Sequence, residues 1–170
     1  MLAGLTALAV AANVFAAPSL PPETTVLAAP RAGYVLPGCS RVTAGPVDGG
    51  WDPSDADIAD MEVALASTLG SLGNLPVYSH GTESPDPLTY VANDPRWQRE
   101  IIGIIRAGRP VVYGNYLPAD IDVNSARLPS DICDGGPIFF GVEYDLATGT
   151  ITHLSFNGGL GGPFWPTYAP

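Results

Sequence analysis

Apolar positions recur along this chain in two different periods, and the change of period separates a helical part from a sheet-forming part. After Asp52-Pro53-Ser54-Asp55-Ala56-Asp57, the residues Ile58, Met61, Leu65, Leu69 and Leu72 return at three- and four-residue intervals. That spacing places one apolar stripe along a helix of about four turns. Its start is signalled by Pro53 in the first turn, by Ser54 as N-cap with Asp57 three residues on, and by acids facing the positive end of the dipole. Gly70 and Gly73 mark the stop. The aspartates are read as a solvated helix start rather than a metal cluster.

Beyond a long Pro- and Gly-interrupted loop from Pro76 to Pro95, which carries His80, the period shortens. Trp97–Arg106 and Arg109–Tyr116 are β-branched and aromatic runs separated by Ala107-Gly108, and two residues with Gly between such runs predict a hairpin. Both runs are apolar on both faces, so this hairpin is expected at the centre of a sheet or under a second cover. A polar excursion from Leu117 to Ile132 follows. Then Ile138–Asp145 and Thr150–Phe156 predict a second hairpin, with Gly149 available for a positive φ in the turn. A simple four-residue loop sets Glu143 opposite Thr152; one bulged residue sets it opposite His153. The sum is an α+β fold, one amphipathic helix packed on a four-stranded antiparallel meander. In layout, though in no motif, this order is similar to the cystatins.

The N-terminal third reads differently. Leu2 to Ala16 is a short apolar run, and Val14-Phe15-Ala16 presents small residues where a signal peptidase inspects them, which predicts a signal peptide over 1–16 cut before Ala17. No Lys or Arg precedes the run, so the true translation start is expected upstream of Met1. The rival reading is an N-terminal core helix. Residues 17–50 are rich in Pro, Ala and Gly and are expected to form a disordered leader. A single domain over 51–158 and a Gly/aromatic tail over 159–170 complete the organisation. The tail's aromatics are expected to fold back over the sheet, with docking on a partner as the alternative.

Export to the periplasm or beyond changes the meaning of the two cysteines. In an oxidising compartment Cys39 and Cys133 are expected to form the one possible intramolecular disulfide. Closing a loop of about 90 residues removes roughly 4 to 5 kcal/mol of unfolded-state entropy on the chain-entropy account. A lipid-modified Cys39 is the rival.

Composition closes off much chemistry. The seven basic residues are all Arg, and the absence of Lys excludes a Schiff-base lysine, a pyridoxal phosphate attachment and a P-loop lysine. With His80 and His153 the only imidazoles, a three-histidine zinc site is excluded. No cofactor is expected. A formal net charge of −10 argues against nucleic acid and against an anionic membrane surface, and no stable transmembrane span is expected once the signal is removed.

Several residue groups remain as candidate chemistry. Cys133 with His153 holds the materials of a thiol nucleophile and its base, which a disulfide removes. Glu143 and Asp145, two apart on one strand face, can serve as paired carboxylates, against a reading as two solvated acids on an exposed face. Asp120, Asp122, Asn124 and Asp131 have the spacing of calcium-loop ligands, but Ser125 stands where the loop needs Gly. Asn157-Gly158-Gly159-Leu160-Gly161-Gly162 is Gly-rich, yet no helix pattern follows to hold a phosphate.

The pieces Arg99-Glu100-Ile101-Ile102-Gly103, Val112-Tyr113-Gly114-Asn115, Cys133-Asp134-Gly135-Gly136 and Phe140-Gly141-Val142-Glu143-Tyr144-Asp145, with Phe156-Asn157-Gly158, resemble a group of small exported bacterial proteins of uncharacterised function. The resemblance implies export and a shared fold, and carries no activity with it. The expected function is a non-catalytic exported domain binding a protein or envelope component. The alternative is a small secreted hydrolase in which Glu143, Asp134 or Asp145 act as acid and base with His153 assisting.

Overall fold

The computed structural model describes residues 18–34, 41, 44–72, 85–123 and 130–158, and its fold is α+β, built from one long helix and a mostly antiparallel sheet. Helix α1 (Asp55–Ser71) begins at Ser54, whose hydroxyl accepts from the Asp57 N–H while the Asp57 carboxylate accepts from the Ser54 N–H at 2.8 Å. This reciprocal cap satisfies two N–H groups that the helix itself leaves unpaired. The stripe of Ile58, Met61, Leu65 and Leu69 is fully buried. Gly70 lies within the last turn and Leu72 is the C-cap.

Strands β1 (Thr24–Val26), β2 (Gly49–Trp51), β3 (Trp97–Arg106), β4 (Arg109–Pro118), β5 (Phe140–Asp145) and β6 (Thr150–Phe156) form one sheet. β3, β4, β5 and β6 lie side by side in chain order, each antiparallel to the next. The turn between β3 and β4 has positive φ at both Ala107 (46°) and Gly108 (74°), which matches the right-handed twist of the flanking strands. Its backbone is further held by the Ala107 N–H donating to Asp48 at 2.7 Å.

The expected sheet of four strands is corrected to one of six. β1 pairs in parallel with Arg99–Ile101, and β2 pairs antiparallel with Gly103–Ile105, so the two share one edge of β3 end to end. β1 and the first two residues of β2 come from the segment expected to be a disordered leader, and Trp51 opens the expected domain. The physical reason is that β3 offers ten residues of backbone on that edge, and unpaired N–H and C=O groups there need partners. A three-residue strand is too short to show a period in sequence. Residues 1–16, 35–40 and the tail 159–170 lie outside the described residues, as does His80.

The sheet is buried on both faces. Against α1 lie Trp97, Ile101, Val112, Tyr116, Phe140, Val142, Leu154 and Phe156, with the Tyr116 and Phe140 rings stacked 4.8 Å apart. On the opposite face Ile102, Ile104, Val111 and Tyr113 pack with Leu27 and Ala32, so the chain around β1 supplies the second cover. Between β5 and β6 the register shifts. Glu143 stands opposite His153 and Tyr144 opposite Ile151, leaving Thr152 as the extra residue of a bulge. Among the described residues no helix is long and apolar enough to cross a membrane.

Gly103 is where β2 comes closest. A Cβ there would stand 2.3 Å from the Trp51 carbonyl oxygen and 2.8 Å from its indole ring. Gly103→Ala is therefore expected to displace β2, to cost about 1 to 3 kcal/mol, and to alter Trp51 fluorescence; unchanged emission and stability in a urea titration would refute this account of the contact.

Candidate functional site

Two polar groups are built into this fold, one on each face of the sheet. The first joins helix to sheet. Glu62 lies between Ile58 and Leu65 on the buried stripe of α1, and Arg99 alternates with Trp97 and Ile101 on the face of β3 that meets the helix. Both are about fully buried, and the Arg99 Nε donates to a Glu62 oxygen at 2.9 Å. Burying a charge costs several kcal/mol unless a partner and full hydrogen bonding offset it. Here they do. Arg99 donates also to the carbonyls of Pro22 (3.0 Å), Trp97 (2.6 Å) and Asp94 (2.9 Å) and to the Tyr90 hydroxyl. Glu62 accepts from the hydroxyls of Tyr90 and Tyr116 and from the Asn93 N–H at 3.0 Å.

The environment shifts the neighbouring titrations in a consistent direction. Burial, and then the Glu62 charge, pushes the Tyr90 and Tyr116 phenols well above their ordinary range. Burial alone would lower the Arg99 value, but the Glu62 charge and the nearby phenols outweigh it and the net movement is upward. Both tyrosines therefore stay neutral and Arg99 stays charged beside Glu62. At its margin the Arg96 side chain, hydrogen-bonded to Asp94, holds that carboxyl below its usual range.

The second group crosses the far face of the sheet. Glu100, Asn115, Gly141 and Ser155 are successive cross-strand neighbours on β3, β4, β5 and β6. Glu100 accepts from the Asn115 amide (2.6 Å) and from the Ser130 N–H (2.7 Å) and hydroxyl (2.5 Å). Over the gap at Gly141 lies the half-buried Arg41. Its guanidinium donates to Asn115 at 2.7 Å, to the Tyr113 hydroxyl at 3.2 Å and to Asn157. One step along the strands, Arg106 forks onto both oxygens of Glu143 at 2.8 and 2.6 Å.

The residues singled out from sequence fall as follows. Glu143 and His153 are cross-strand neighbours, through the bulged register. Glu143 and Asp145 are not solvated acids on an exposed face: they are 2% and 0% exposed, and Arg106 and Arg109 pair with them. That correction has a direct cause. The far face is covered by other segments, so an alternating strand buries its polar positions too. Asp145 also accepts from the N–H groups of Ala147 and Thr148, and so organises the β5–β6 turn. Asp134 is exposed in the loop ahead of β5, and its backbone carbonyl accepts from Asn157. Cys133 carries no free thiol; Cys39 lies outside the described residues. Asp120, Asp122 and Asp131 are exposed, and Asn124 lies outside the described residues. Among the described residues no three His, Cys, Asp or Glu side chains gather as metal ligands would.

Glu62, Arg99 and Arg41 are the residues that sequence reasoning missed. A signal existed for Glu62, a charge in phase with an apolar stripe, and for Arg99, a charge alternating with Trp97 and Ile101. Arg41 left none. Comparison of the chain with family models, curated proteins and solved structures returns no match.

Removing one member of the Glu62–Arg99 pair leaves the other buried and charged. Glu62→Gln is expected to lower unfolding stability by about 3 to 5 kcal/mol, and the double variant Glu62→Leu/Arg99→Met by well under the sum of the single losses. Urea unfolding followed by circular dichroism measures both, and strict additivity would show that the two groups do not interact.

Proposed function

We propose that this chain is an exported, non-catalytic interaction domain of the cell envelope, cross-linked by a Cys39–Cys133 disulfide. The observation that carries the reading is the fork of Arg106 on Glu143: both oxygens of the carboxylate best placed beside a histidine are already committed to an ion pair. A general acid or base needs an oxygen free to exchange a proton with substrate. The same commitment recurs in Glu62 and Glu100, each buried and bound by donors from neighbouring segments, while Asp145 is buried beside Arg109 and holds its own turn. These carboxylates serve to join segments. Export and membership in the group with the Cys-Asp-Gly-Gly and Phe-Gly-Val-Glu-Tyr-Asp motif belong to this proposal.

The hydrolase alternative needs Asp134 and Glu143 to act on one substrate. Asp134 is exposed ahead of β5, whereas Glu143 is buried within it behind Arg106. That separation disfavours the pairing.

The purified mature domain is expected to retain a defined component of its native envelope in a saturable pull-down, with Asp134→Asn behaving like the wild type. Turnover of a peptide or glycan substrate that Asp134→Asn abolishes would replace this reading with the hydrolase.

A thiol titration of the denatured, unreduced protein is expected to find no free thiol and, after reduction, two. Two thiols before reduction would remove the disulfide from the proposal.

A further inference from the structure

Arg41 belongs to no strand or helix, yet its side chain reaches the centre of the far sheet face. What it meets there is a shaped recess. The floor is Gly141, where a Cβ would stand 2.9 Å from the Arg41 Nη1 and 2.8 Å from the Tyr113 hydroxyl, so any larger residue would intrude on the guanidinium. The walls are three neutral oxygens, those of Asn115, Asn157 and Tyr113, all from side chains no more than 5% exposed.

The orientation of these acceptors is set by bonds on their other side. The Asn115 amide nitrogen donates to Glu100 and to the Ser130 carbonyl, and the Asn157 amide nitrogen donates to the carbonyls of Ile132 and Asp134. With each NH2 group so committed, both side-chain oxygens turn toward the recess. Glu100 lies behind Asn115 and biases the amide dipole, so that its oxygen presents negative potential to a cation. A planar fork of N–H donors fits acceptors held this way, while an ammonium group offers its donors in a different geometry.

We propose that the Gly141 recess is a guanidinium-binding site, occupied by Arg41 acting as an internal ligand and able to take another guanidinium compound in its place when the Arg41 side chain is removed. The fixed acceptors bind the planar cation through hydrogen bonds already oriented for it, so little ordering is required on entry. The same bonds tie the Arg41 side chain to β4 and to Asn157, the residue after β6.

Chemical rescue tests the proposal. In Arg41→Ala, methylguanidinium is expected to raise the unfolding temperature saturably, with a dissociation constant on the order of 1 mM, as suits a ligand of so few atoms. Methylammonium at equal ionic strength is expected to have no such effect, and the wild type is expected not to respond. An absent rise, an equal rise with methylammonium, or an equal rise in the wild type would overturn the assignment. If Arg41→Ala does not fold unaided, the readout becomes refolding yield: selective recovery with methylguanidinium supports the site, and no selective recovery overturns it.

Discussion

The contact between Glu62 and Arg99 is where the separate parts of this domain meet. Glu62 comes from the helix and Arg99 from β3, the strand flanked by β1 and β2 on one edge and β4 on the other. The same two side chains bind the Tyr90–Asp94 loop, Tyr116 of β4 and the Pro22 carbonyl just ahead of β1. Two opposite charges in a core are costly to desolvate, so the arrangement is tolerable only while every partner is in place. That condition couples the elements. If the helix shifts along the sheet, or the loop lifts, a buried N–H or carboxylate oxygen loses its acceptor or donor. The pair thus specifies one docking of helix on sheet among the many that an apolar stripe of Ile, Met and Leu would allow.

A similar logic governs the far face, with arginine again as the joining residue. Arg41 reaches Asn115 and Asn157, Arg106 reaches Glu143, and Arg109 reaches Asp145. Arginine suits this use because its fork of donors satisfies several acceptors at once from a fixed plane. Glycine makes the room. At Gly103 the missing Cβ admits Trp51 of β2, and at Gly141 it admits the Arg41 guanidinium. In both places a side chain is given up so that a neighbouring segment can approach the sheet closely.

This use of polar groups bears on what the domain does. Its buried carboxylates bind parts of the chain to one another, and that commitment is the support for the proposed non-catalytic reading. Asp145 is one instance. It takes an arginine and caps the β5–β6 turn through two backbone N–H groups, so its contribution is to local geometry.

Much of the layout is legible in the sequence because it rests on local patterns. The 3.6-residue stripe with the Ser54–Asp57 cap identifies α1, and the two-residue Ala107-Gly108 turn fixes the β3–β4 pairing almost to the residue. Periodicity and turn chemistry act over a few residues, so they can be read without knowing what lies across the fold. The tertiary structure decided the rest. Only it shows that β1 and β2 fill the edge of β3, since three-residue strands have no period of their own. Only it selects the bulge at Thr152 that brings Glu143 opposite His153, since each register was compatible with the alternation. It also decided the fate of the charged residues. Whether Glu62, Arg99, Arg41 and Glu143 face water or one another depends on partners 37 to 116 positions away in the chain, and no local pattern encodes a meeting at that distance.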